Sequence, residues 1–276
     1  MGKIQPRNIL NLLSHFRFCD GLSKKMIRWA EYLIIVSVCF SSFTGCQLSG
    51  FDHSEQETAG EERSETSRPP SLTLDNFLTE SGRLDLAKLQ EYNPECYAWL
   101  DIPDTEMSFP LMQPAEDLSW YLSHDFFGNA DEDGCIYTEY YNGKDFGDPN
   151  TVIYGRNAEG RFGGLHQYQD RDFFDSHSEI LIYTGDAVLE YRVFAAYPFD
   201  DRHLLMNWDF WNPDVFSVYL SGVLSQRKMD VFLNPDAEVS EEDRIITLST
   251  GVDGEPQKRY LVQAVLVLQE GVSEQE

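Results

Sequence analysis

Positive charge is scarce in this sequence. Lys and Arg number 21 against 47 Asp and Glu, a formal net charge of −26 at pH 7. A nucleic-acid partner is excluded on that ground, because neutralising phosphates takes clustered cations. An acidic surface mainly keeps the chain soluble and repels anionic surfaces. Cysteine is scarce as well. There are five in 276 residues, with no Cys-x-x-Cys pair and no Cys/His cluster, so no metal site is written into the spacing. No cofactor is expected. Nor is there a comfortable membrane span, since the apolar run from Tyr32 to Phe43 falls short of the roughly 20 residues a helix needs to cross a bilayer.

What the N-terminus does have is the layout of an export signal over residues 1–45. Lys24, Lys25 and Arg28 precede the apolar run, and Thr44-Gly45-Cys46 follows it. "SFTGC" resembles a bacterial lipobox, with Phe43 in place of the usual leucine. That resemblance implies a lipid on Cys46 and anchoring at the extracytoplasmic face of the membrane. An uncleaved signal anchor is the alternative, and Met26 competes with Met1 as the start. Residues 46–71 are polar and acidic, with too little apolar surface to order themselves, and read as a tether. Cys19 and Cys39 leave with the signal, which leaves Cys96 and Cys135 in the body. A disulfide between those two stays open.

Ordered sequence is expected over 72–270, with 271–276 as a tail. Leu84, Leu86, Leu89 and Tyr92 have helical spacing before Pro94 breaks it, and "CYAWLDIP" reads as a strand. Short β-branched and aromatic runs follow: "GCIYTEYY", "NTVIYG", "EILIYTG", "LEYRVFAAYPF", "DRIITLST" and "RYLVQAVLVL". Turn residues punctuate them, the pattern of a barrel or sandwich. One late helix, "NPDVFSVYLSGVLSQRK", opens at Asn212 or Pro213 and places Val215, Val218, Tyr219, Gly222 and Val223 on one face. The expectation is a single, mainly β domain with added helices.

Several segments together resemble the class B sortases, cysteine transpeptidases that attach proteins to Gram-positive cell walls. "NPECYAWLDIPDTEMSFPLMQ" is similar to the family's "NPDVVGWIxIPGTxIxYPVxQ". "YLSHDFFGNADEDGCIYTEY" is similar to "YLxHDFxGxxxxxGSIFLDY". "NTVIYGRNAEGRFGGLHQY" is similar to "NTIIYGHN…MFGDLxxY", and "LSTG" followed by "RYLVQAVLV" is similar to "LSTC" followed by "RFVVHAxLV". The resemblance runs from about Leu84 to Leu268. It implies an eight-stranded barrel with N-terminal helices and a helix inserted between two late strands, near Pro213 to Lys228.

The departures from that pattern fall on its chemistry. Arg156 stands where the resemblance implies the catalytic histidine, Gly251 where it implies the cysteine, and only the arginine survives, as Arg259. Glycine offers no atom to acylate, and a guanidinium with a pKa above ~12 cannot shuttle a proton near neutrality. Arg259 keeps the ability to hydrogen-bond a developing oxyanion, unless Asp253 or Glu255 pairs with it, an alternative left open. Tyr154, Arg156, Asn157, Ser249, Thr250 and Arg259 are the candidate walls of a peptide-binding cleft, more basic than usual because of the two arginines. His166 is expected on the surface, His177 in a structural turn, Cys135 as a packed thiol, and Cys96 remote from the cleft.

The leading expectation is therefore an inactive sortase-like protein that binds a sorting-signal-like peptide or a surface protein, or assists an intact sortase. An enzyme with a nonstandard nucleophile, Ser249 or Thr250, is the second reading. A purely structural surface lipoprotein is the third.

Overall fold

Strands whose alternate residues are large and apolar need cover on both faces, and closing the sheet on itself covers one of them. The computed structural model describes residues 72–271. The signal, Cys46, the 46–71 tether and residues 272–276 lie outside the described residues. Nine strands form one sheet: β1 (Cys96–Asp101), β2 (Ser108–Met112), β3 (Ile136–Thr138), β4 (Asn150–Tyr154), β5 (Glu179–Tyr183), β6 (Ala187–Asp200), β7 (Phe232–Leu233), β8 (Ile245–Gly251) and β9 (Lys258–Gly271). Their order is β5-β1-β2-β3-β4-β8-β9-β6-β7, and β5 also pairs with β6, which closes an eight-stranded barrel with β7 appended to β6. The fold anticipated from the resemblance is the one observed.

Alternation along β8 sorts its residues between two cores. Ile246 and Leu248 face the barrel interior with Leu100, Ile136, Ile153, Ile182 and Val262. Ile245, on the other face, packs with Phe194, Tyr197 and Leu261 beneath a helix. Each large apolar side chain so buried contributes about 1.5–3 kcal/mol. Trp99, fully buried on β1, satisfies its indole N–H on Ser108 Oγ at 2.9 Å.

Among the described residues four short α-helices dress the barrel: α1 (Leu86–Gln90), α2 (Arg171–Ser176), α3 (Leu204–Asn207) and α4 (Pro213–Leu224). The Asn212 side chain caps α4 by accepting from the Asp214 N–H, and Pro213 sits in its first turn, as the sequence predicts. The buried face of α4, however, is Phe216, Tyr219, Leu220 and Val223, while Val218 is 64 % exposed. Two apolar stripes overlap on this helix about one residue apart. The stripe carrying Phe216 and Leu220 removes more area from water than one carrying Val218 and Gly222, so it turns inward. A buried relay pins α4 to the sheet. Tyr197 Oη donates to Gln263 Oε1 (3.0 Å), and Gln263 Nε2 donates to Tyr219 Oη and Thr247 Oγ1 (both 2.8 Å). Thr247 Oγ1 in turn donates to Asn150 Oδ1 (2.8 Å).

Candidate functional site

Where β4 and β8 run side by side and end, a cleft of about 890 Å³ opens on the outer face of the sheet. Ser249 and Gly251 share that face with Ile245. Thr250 falls with Ile246 and Leu248 instead and is 1 % exposed, its hydroxyl without a hydrogen-bond partner among the described residues. Every cleft candidate named from sequence lines this space, Tyr154, Arg156, Asn157, Ser249, Thr250 and Arg259, and so does Gly251. Gly251 pairs with Arg259 across the β8–β9 ladder, and Tyr154 with Ser249 across β4–β8.

Gly155 sets the direction in which the chain leaves β4. A Cβ there would lie 2.5 Å from Ile136 Cδ1 and 2.7 Å from the Phe162 ring, so only glycine lets the backbone lie this close. Its N–H donates to the Ser249 carbonyl at 3.1 Å, carrying the ladder one step past the strand end and delivering Arg156 to the cleft rim. Gly251 is not constrained in this way. A Cβ there would meet only the Asn157 Cβ, at 3.9 Å.

Both guanidiniums are engaged by the protein's own backbone. Arg156 Nε donates to the Leu122 carbonyl at 2.7 Å, and Arg259 Nη1 donates to the carbonyls of Pro256 (3.1 Å) and Lys258 (2.8 Å). Neither acid weighed as a partner of Arg259 takes it, since Asp253 accepts from Asn157 Nδ2 at 2.9 Å and Glu255 pairs with Lys258. The expected basic character is offset, because Glu132, Asp133, Asp201 and Asp253 line the cleft along with a third arginine, Arg202. Burial pushes the Tyr137 phenol up, further assisted by Glu139, while Arg156 and Arg259 pull it down. Both cations are thus felt on the cleft floor.

His166 is not a surface residue. It is half-buried beneath the β8 end, with its ring 5.2 Å from that of Tyr260. Its Nε2 lies 2.9 Å from the Gly251 carbonyl, which can only accept, so Nε2 carries the proton and Nδ1 accepts from Gln169 Nε2 (2.9 Å). His177 ends α2 and stacks on Phe173 at 4.0 Å, a structural role as expected. Cys96 and Cys135 are free, buried thiols, not a disulfide, and burial raises each to about 12. No cluster able to hold a metal ion occurs among the described residues.

Sequence reasoning missed one group in this cleft. His203 Nε2 lies 2.6 Å from Glu139 Oε2 in the wall, and Nδ1 is enclosed without a partner among the described residues. Glu139 follows β3 and His203 precedes α3, so no local pattern joins them. Only barrel closure does.

A closed barrel of this order with a cleft over its β4 and β8 ends defines a sortase-type protein. Among solved structures, sortase B from Listeria monocytogenes is 32 % identical with a TM-score of 0.56, covering 66 % of this chain and 99 % of that one. A sortase B–substrate complex from Staphylococcus aureus is 26 % identical with a TM-score of 0.59, covering 68 % and 85 %. Among curated proteins, sortase B of L. monocytogenes is 34 % identical over 170 residues, 61 % of this chain and 67 % of the relative. No family model matches the chain. The chain belongs to the class B sortase family.

Proposed function

We propose that this chain is a sortase-fold binding protein without transpeptidase activity. It holds an extended, sorting-signal-like peptide in the cleft, at the extracytoplasmic face of a membrane to which Cys46 tethers it. The observation that carries the reading is Gly251. In this reading it occupies the place of the family's cysteine, and it turns an open, unfilled space toward the cleft with no atom able to form a thioester. Arg156, in the histidine's place, cannot donate and recover a proton near neutrality. Arg259 retains a guanidinium within the cleft, and charge stabilisation without a nucleophile gives binding and not turnover.

The other nucleophile candidates lack help. Thr250 borders the cleft but is 1 % exposed, with its hydroxyl enclosed and without a partner among the described residues. His203, the histidine nearest in kind to a general base, has Nε2 held by Glu139 and Nδ1 enclosed, so neither nitrogen is presented to Ser249. In the cell, binding without turnover suits an accessory to an intact sortase or to a surface protein.

The test is a fluorogenic sorting peptide and calorimetry on the full chain, compared with Gly251→Cys plus Arg156→His. The expected result is saturable heat without cleavage for the native chain, and measurable cleavage for the double variant. Cleavage or a trapped acyl adduct on the native chain overturns inactivity. Absence of heat at millimolar peptide overturns binding.

A further inference from the structure

Lined in part by Leu205, Met206 and Asn207 of α3 lies another cavity, of about 520 Å³, that the cleft reading does not use. Its lining has two distinct components. One is aromatic: Trp211 is 71 % exposed, Tyr141 is 44 % exposed, and Trp208 is fixed edge-on against Tyr219 at 5.1 Å between centroids. The other is anionic: Asp148 and Asp209 line it, and no Lys, Arg or His does. The Asp148 carboxylate is already oriented, with Oδ2 accepting from Asn142 Nδ2 (3.0 Å) and the Gly143 N–H (2.7 Å).

A third feature is a polar atom with nothing to bind. Asn150, 1 % exposed, forms part of this lining, and its Nδ2 has no hydrogen-bond partner among the described residues. The Thr247 hydroxyl accepts from Gln263 and donates to Asn150 Oδ1, so the unpartnered atom is the amide NH₂, a donor that lacks an acceptor. A buried donor without an acceptor is unfavourable, and an acceptor supplied by a ligand relieves it.

We infer that this cavity binds the side chain of a lysyl residue from a partner peptide, with the ammonium between the indole faces and the carboxylates and a neighbouring peptide carbonyl on Asn150. Exposed indole and phenol faces attract an ammonium through the ring quadrupole, best of all tryptophan, and adjacent carboxylates add to it. The alkyl stem rests on apolar surface while the charge stays at the rim. The strongly acidic chain as a whole draws a cationic ligand. A neutral sugar would satisfy the aromatic surface and leave that charge unused.

The experiment titrates the full chain with Nα-acetyl-lysine N-methylamide, with the norleucine analogue and N-acetylglucosamine as controls, read by saturation-transfer NMR. Saturable lysine binding is expected, weakening with salt and about tenfold weaker in Trp211→Ala. Asp209→Asn, also an exposed position, should weaken it several-fold with the circular dichroism unchanged. Equal binding of the norleucine analogue, binding of the sugar instead, or unchanged affinity in both variants overturns the inference. None of these outcomes touches the reading of the cleft, whose residues are different.

Discussion

Gly155 follows β4 and Gly251 closes β8, neighbouring strands that open onto one cleft, yet the space around them differs. A methyl group at Gly155 would sit inside the Phe162 ring and the Ile136 side chain, whereas one at Gly251 would touch a single carbon at ordinary contact distance. The backbone needs glycine at the first position and merely has it at the second. Packing therefore does not require glycine at 251. A larger side chain fits there without rebuilding the barrel, which is what the proposed Gly251→Cys variant relies on.

Three measurements break or sharpen that contrast. The largest effect should come from alkali, which attacks the packing of the whole barrel, on the Gly155 and the Gly251 side alike. Burial raises the phenols of Tyr137, Tyr154, Tyr168, Tyr197 and Tyr260, and carries Tyr219 up to about 12. These groups are neutral in the folded chain and ionise near about 10 when unfolded. Their contribution is thus intact below that pH and is lost as pH rises toward the folded values. Tyrosinate absorbance should rise together with the loss of near-ultraviolet dichroism; free titration near pH 10 with the fold intact would show those phenols to be loosely packed.

Next in size, Gly155→Ala should cost about 1–3 kcal/mol in urea unfolding, because ring and backbone must both give way. Smallest of the three, Gly251→Ala should change stability by no more than about 0.5 kcal/mol. Equal costs at the two positions would erase the distinction.

The strands were readable from sequence because alternation and turn residues are local signals, and the family-like segments carried the barrel with them. The inward stripe of α4 was not. Val218 and Phe216 both sit at helical spacing, and the choice depends on which stripe meets Tyr197 and Leu261 across the sheet. His166 was misread for a related reason: its partner is the Gly251 carbonyl, 85 residues away, brought near by the packing of its turn under β8. The cleft residues were legible because they lie within two motifs on adjacent strands. Glu139 and His203 belong to neither, and they meet only through the closed sheet.

Pairing of β5 with β6 closes the barrel, and among the described residues the two-residue β7 ends the sheet. An incoming chain consequently finds only short stretches of free main chain along the described strands, such as β6 beyond its pairing with β7, on which to add as a further strand. A peptide bound as proposed would lie largely across strand ends, held by side chains and loop amides, so its selectivity would rest on individual contacts whose exchange retunes the partner without disturbing the scaffold.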